Sequence, residues 1–362
     1  MTTIILKPTD GCNARCRYCS AAHPGAAKRM DAATLDRVFG LFGAWAETYG
    51  QRDLKFIWHG GEPLLMGEAF WDAVFQGQEQ LRQRGLRVEN GIQTNATLIT
   101  QDTLPRLQRL LGTRGAVGTS IDPLPGIREL QGAPDGRYGE ALDGALALLR
   151  EAGIRYGLLF VVHRLALPHL AGLYGDLRRR HPGAGLRFNP LYRQGRAVDD
   201  GVWDDLGITG EQWGQALLDL HGAWSADGRP ANVHPFGPWQ RLQDGAGWQL
   251  SCECSGKCAP SHFGVDPDGS VFLCGRSADG QTFRFGSAAE LTAQGLHEHP
   301  ILRLVENRRV FLKQTFCKGC PWWLRCHGGC VNDSLLGSGT PFAPTTFCAG
   351  LKTFFAATQV AP

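Results

Sequence analysis

The chain has 362 residues, 43% of them hydrophobic and 20% charged, enough for one sizeable α/β domain and a smaller one. A net charge of +3 is too small to point to nucleic acid or an anionic membrane surface as partner, and no apolar run approaches a membrane span or a secretory signal. The expected setting is cytoplasmic, where the 12 cysteines are better read as metal ligands than as disulfides.

In chain order, the segments 3–6, 54–59, 87–94, 115–121, 156–163 and 185–192 read as strands, being short apolar or β-branched runs. Between them lie helical patterns. In 31–50, Leu35, Val38, Phe39, Phe42 and Trp45 share one face, and in 138–152 Leu142, Ala145, Leu146 and Leu149 do the same. Six βα units in series favour a parallel sheet covered by helices, as a partial (β/α)6 TIM-like barrel, with an open doubly wound sheet as the rival. Residues 1–208 make this domain, and 209–250 a connector with a helix over 210–226. Residues 251–362 make a small cysteine-rich domain with little helical periodicity and one hairpin around Asp268-Gly269.

In parallel βα sheets, ligands bind at the C-terminal strand ends. That rim collects Cys12, Cys16 and Cys19, then His59-Gly60-Gly61-Glu62-Pro63, then Thr94-Asn95, then Ser120-Ile121-Asp122. Cys-x3-Cys-x2-Cys supplies three of the four iron ligands of a [4Fe–4S] cluster and leaves one iron open. This spacing, followed by GGEP after the next strand, resembles the radical S-adenosylmethionine enzymes. The resemblance implies that S-adenosylmethionine chelates the open iron. It further implies that Gly60, Gly61, Glu62 and Pro63 line its methionine part and Tyr18 its adenine, with Thr94, Asn95 and Ser120 as further contacts. Pro123 stands where relatives carry glycine, and Arg128 is the first arginine downstream. Trp58 and His59 read as core and rim residues.

The C-terminal run Cys317, Cys320, Cys326, Cys330 and Cys348, with Cys258 and Cys274 upstream, resembles the SPASM extension of that family, which implies two auxiliary [4Fe–4S] clusters and three clusters in all. A zinc ribbon is the competing reading. Family spacing puts Cys252, Cys258, Cys274 and Cys330 in one cluster, with Cys254 surplus or replacing Cys252, and Cys317, Cys320, Cys326 and Cys348 in the other. Trp322 and Trp323 are expected to shield a cluster.

SPASM-bearing relatives modify peptides or proteins. The main expectation is a peptide maturase that cross-links a ribosomal precursor peptide, served by a reductant such as flavodoxin or ferredoxin. The alternative is an anaerobic sulfatase-maturating enzyme that makes formylglycine from Cys or Ser. Those maturases carry a basic aspartate directly after the cysteine matching Cys274, where this chain has Gly275. Asp266, Asp268 and Asp279 lie nearby but read as turn caps. A non-enzymatic electron carrier is the remaining class, and it would have no use for the GGEP rim.

Overall fold

The structure, a computed structural model, describes residues 1–21, 26–133, 136–246, 252–256, 258 and 260–358. Two compact units interleave along the chain: Met1–Tyr156 with Ala259–Arg303, and Gly157–Cys258 with Leu304–Pro362. The first unit opens with strands β1 (Thr2–Leu6), β2 (Ala14–Cys16), β3 (Asp53–Trp58), β4 (Arg87–Thr94), β5 (Val117–Ser120) and β6 (Arg128–Leu130). β1, β3, β4 and β5 pair in parallel, each joined to the next by a crossover that carries a helix. The helix Ala32–Thr48 begins where the Asp31 carboxylate accepts from the Thr34 amide at 2.7 Å, and it buries the stripe Leu35, Val38, Phe39, Phe42 and Trp45. Phe39 meets Phe56 of β3 edge to face at 5.1 Å. Trp58 is fully buried among Phe70 and Trp71, a core residue.

The second unit contains β7 (Tyr156–Val162), β8 (Gly185–Pro190) and β9 (Val233–His234), paired in parallel in that order. Its helix Gly210–Ala226 packs on Cys348–Thr358 with almost no gap. A Cβ on Gly350 would stand 1.9 Å from the Gly210 carbonyl and 2.5 Å from the Gly214 nitrogen. The chain returns to the first unit with β10 (His262–Val265), β11 (Ser270–Phe272) and β12 (Arg284–Ser287). β10 and β11 form the expected antiparallel hairpin, and β10 also pairs in parallel with β1. The fold class is α/β with mostly parallel strands, as the sequence pattern suggests.

The cysteine-rich segment holds more helix than its pattern indicates: Pro300–Gln314, Val331–Ser338 and Cys348–Thr358. The reason is visible in Pro300–Gln314, which buries only Arg308 and Leu312. A helix that is solvated nearly all round writes no apolar stripe into the sequence. No helix among the described residues is long and apolar enough to cross a membrane.

The close helix contact makes a paired prediction. Gly350→Ala should destabilise the protein by about 1–3 kcal/mol through overpacking. Gly222→Ala, exposed on the helix Gly210–Ala226 with nothing near its Cβ position, should stabilise it by about 0.5–1 kcal/mol. Denaturant unfolding of both variants checks the contrast.

Candidate active site

Because β1, β3 and β4 run parallel, the loops after them emerge at one edge. The loops after β1 and β3 are joined backbone to backbone. The Gly61 amide donates to the Thr9 carbonyl at 2.9 Å and the Glu62 amide to the Gly11 carbonyl at 2.8 Å. Gly60 has φ +114°, and a Cβ there would lie 2.3 Å from the Thr9 oxygen. At Gly61 a Cβ would lie 2.1 Å from the Gly11 oxygen, so this approach admits glycine alone. Pro63 then opens a short 3-10 turn, Pro63–Leu65, capped by the Glu62 side chain.

Glu62 is fully buried and ties this junction to the end of β4. Its carboxylate accepts from the Leu64 amide at 2.9 Å, the Thr94 hydroxyl at 2.7 Å and the Asn95 amide at 2.7 Å. Burial outweighs those donors and pushes its pKa up to about 7. Asn95 in turn donates its side-chain amide to Cys12 Sγ at 3.6 Å and to Asn13 Oδ1 at 2.8 Å. Tyr18 is buried and donates to Asp122 Oδ2 at 3.1 Å. The Ser120 carbonyl faces the Tyr138 hydroxyl at 3.4 Å. The sequence reading therefore places its rim residues on touching loops.

That reading leaves Arg128 out, and the structure puts it at the centre. β2 pairs with β6 so that Cys16 stands opposite Arg128. The guanidinium donates to the Tyr138 hydroxyl at 2.7 Å and stacks over its ring, while Nε is buried with no hydrogen-bond partner. Its charge reaches both Cys16 and Glu62. The spare donor suits an anionic group bound at this rim.

Cys12, Cys16 and Cys19 lie in one another's fields. Burial, then the neighbouring Cys16, pushes the Cys19 thiol up to about 12, and burial raises Cys12. Such thiols become thiolates only against a cationic centre. Among the described residues no three His, Cys, Asp or Glu side chains close on the point of a single metal ion. A multi-iron cluster takes each thiolate at a separate iron, so spread thiols in one loop are the donor set it needs. In the second unit Cys317, Cys320, Cys326 and Cys348 are likewise mutual neighbours, and burial pushes Cys326 up to about 11. Cys258 and Cys330 share a third neighbourhood around Arg308. Cys274 belongs to the first unit, ahead of the helix Gly275–Asp279. Cys252 is exposed, whereas Cys254 is buried with its carbonyl on His327 Nδ1 at 2.9 Å. Trp322 packs on Phe355 and Trp323 on His327.

A group of charges that sequence reasoning missed completes the edge. The pairing of β10 with β1 sets Asp266, just after β10, beside Lys7, just after β1. Lys7 Nζ is buried between Asp266 Oδ1, at 3.2 Å, and Asp279 Oδ1. Asp279 also accepts from the Ser20 hydroxyl at 3.0 Å, next to Cys19. Burial pushes the Asp279 carboxyl up, but the charges of Lys7 and His59 and the bonds from Lys7 and Ser20 hold it below its ordinary value. Burial also pulls the His59 imidazole down. Both aspartates are ion partners here rather than turn caps.

A sequence profile described as the radical SAM superfamily matches residues 6–168, the span that carries this rim. By that match, residues 6–168 are a radical SAM domain. It is 28% identical over 339 residues to a serine-type anaerobic sulfatase-maturating enzyme of Klebsiella aerogenes, covering 90% of this chain and 79% of that one. A cysteine-type enzyme of Clostridium perfringens is 23% identical over 98% of this chain and 95% of its own. Among solved structures, native anSMEcpe with bound AdoMet and Cp18Cys peptide superposes with a TM-score of 0.79 at 22% identity, over 98% and 96% of the two chains. SuiB of Streptococcus suis bound to the precursor peptide SuiA gives 0.65 at 14% identity, over 96% and 75%. At these identities the superpositions show a shared fold.

The buried carboxylate of this radical SAM domain makes stability depend on pH in an unusual direction. Glu62 in the folded state keeps its proton up to about 7, whereas the unfolded chain loses it near 4.5. Cofactor-free protein should therefore lose stability as pH rises between those values, by up to about 3 kcal/mol, and change no further above them. Glu62→Gln should lack this slope in denaturant titrations at successive pH values.

Proposed function

We propose that this chain is an anaerobic sulfatase-maturating enzyme that oxidises a Cys or Ser side chain of a protein substrate to formylglycine. The relatives at 28% and 23% identity carry that description over nearly the whole chain. They favour this alternative over precursor-peptide cross-linking, the main expectation from the sequence. The single observation that carries it is the position of Asp279. The absence of an acid at Gly275 spoke against a sulfatase substrate, and a carboxylate from four residues further on lies beside the cysteine loop instead.

Residues Cys12, Cys16 and Cys19 would hold one [4Fe–4S] cluster, with S-adenosylmethionine lodged along Gly60–Pro63, Thr94, Asn95, Ser120 and Tyr18. Bound there, the pair supplies reductive cleavage of the sulfonium and hence abstraction of a substrate hydrogen atom. Glu62, pinned by three donors, is a fixed acceptor for the cosubstrate ammonium, and the spare Nε of Arg128 suits its carboxylate. We assign the C-terminal cysteines to auxiliary clusters, among them Cys317, Cys320, Cys326 and Cys348.

Aldehyde formation removes a hydrogen atom from Cβ, the proton on the side-chain oxygen or sulfur, which needs a base, and one further electron, which an auxiliary cluster would accept. From Cys the product is a thioaldehyde that water hydrolyses with release of hydrogen sulfide. Asp279 is ionised at neutral pH because Lys7 holds its charge, and the exposed Ser20 hydroxyl on the same carboxylate leads to solvent. Lys7 remains protonated between two aspartates, so proton release from the substrate ends on Asp279.

Asp279→Asn should lower formylglycine yield on a sulfatase-derived peptide by roughly 100-fold or more, the scale of a lost general base. Release of 5′-deoxyadenosine should persist. Mass spectrometry of the peptide and chromatography of the nucleoside separate the two. Unchanged aldehyde yield, or a cross-link in place of the aldehyde, would refute the assignment.

A further inference from the structure

Arg308 is a buried cation, 5% exposed, on a helix that is otherwise nearly all solvated. Its guanidinium donates to the carbonyls of Pro341 at 2.6 Å, Gly328 at 3.1 Å and Ala343 at 3.1 Å, and to the Ser334 hydroxyl at 2.9 Å. All four acceptors are neutral. A buried charge satisfied only by neutral oxygens keeps most of its desolvation cost unless counter-charge lies close by.

The geometry shows where that counter-charge is. Ser334, which accepts from Arg308, donates to the Cys330 carbonyl at 2.9 Å. Gly328, whose carbonyl Arg308 holds, lies between Cys326 and Cys330, and its Cβ position is 3.8 Å from Cys317 Sγ. One guanidinium is thus wired to segments that bear cysteines of both C-terminal groups. The thiols whose charge it feels most are Cys258, Cys330 and Cys317, ahead of Asp333. The Asp333 carboxylate is itself engaged by Thr345 and Thr346.

We propose that Arg308 is a positioning residue that sets the reduction potentials of the auxiliary iron–sulfur clusters, as a shared buried counter-ion to the cluster held by Cys258 and Cys330 and the cluster held by Cys317, Cys320, Cys326 and Cys348. This deepens the assignment of those cysteines above and rests on it. Each electron accepted adds one negative charge to a cluster, and a fixed cation in a medium of low polarity stabilises that state. The effect is a higher midpoint potential at both sites. The fork geometry matters less than the charge, because the hydrogen bonds end on the backbone rather than on sulfur.

The test is an anaerobic redox titration of the full-length reconstituted protein, followed by electron paramagnetic resonance, with iron counted in each sample. Arg308→Gln should keep its iron and shift both auxiliary potentials downward. Arg308→Lys should hold them at the wild-type values. If the Gln variant sheds iron while the Lys variant keeps both iron and potentials, the charge requirement still stands. Full iron with unmoved potentials in Arg308→Gln, or iron lost from both variants, overturns the proposal. Wild-type protein that binds no iron at the C-terminal cysteines overturns the cluster assignment as well.

Discussion

Two backbone hydrogen bonds, from Gly61 to Thr9 and from Glu62 to Gly11, hold the GGEP turn against the cysteine loop. Everything at the rim depends on that contact. It is possible because neither Gly60 nor Gly61 carries a Cβ, and because parallel β1 and β3 release their loops at the same edge. The contact also drives Glu62 inside, where its carboxylate is the one acceptor for three donors from two loops. A cluster site needs thiols at fixed separations, and a cosubstrate site needs polar groups fixed relative to those thiols. The junction supplies both constraints through the main chain, which has no rotamers to lose.

The same logic extends to charge. β10 adds to the other side of β1 from β3, so the hairpin of β10 and β11 delivers Asp266, and the helix Gly275–Asp279 after it delivers Asp279, to Lys7. An isolated buried lysine would tend to lose its proton. Two carboxylates reverse that tendency and fix the charge of the whole group. The result is an ionised carboxylate beside Cys19, within a hydroxyl's reach of solvent. A base can therefore come from position 279 although position 275 is glycine, since space and not sequence spacing decides what a carboxylate touches.

Much of this was legible beforehand. The cysteine triplet, GGEP and Thr94-Asn95 are local signals, each following a strand that announces itself by an apolar or β-branched run. The helix over 210–226 and the hairpin at Asp268-Gly269 read equally well. What escaped detection is non-local or lacks a pattern. Lys7, Asp266 and Asp279 come from three separate segments, and no periodicity links them. Asp279 reads as a turn cap because turn aspartates are usually caps, and nothing in the sequence marks the five-residue helix that it ends. Pro300–Gln314 hides because it buries two side chains, and one of them is an arginine. Arg128 follows Pro123 in a segment whose register the sequence leaves open, and its pairing with Cys16 places it.

The central claim is that the loop of Cys12, Cys16 and Cys19 leaves one iron for S-adenosylmethionine beside Glu62 and Arg128. Electron–nuclear double resonance on the reduced protein, with the cosubstrate isotopically labelled at its amino nitrogen, tests this most directly. The account predicts a hyperfine coupling between the label and the cluster that disappears in Cys16→Ser. A cluster that is fully paramagnetic yet shows no coupling to the label in the wild-type protein would contradict it.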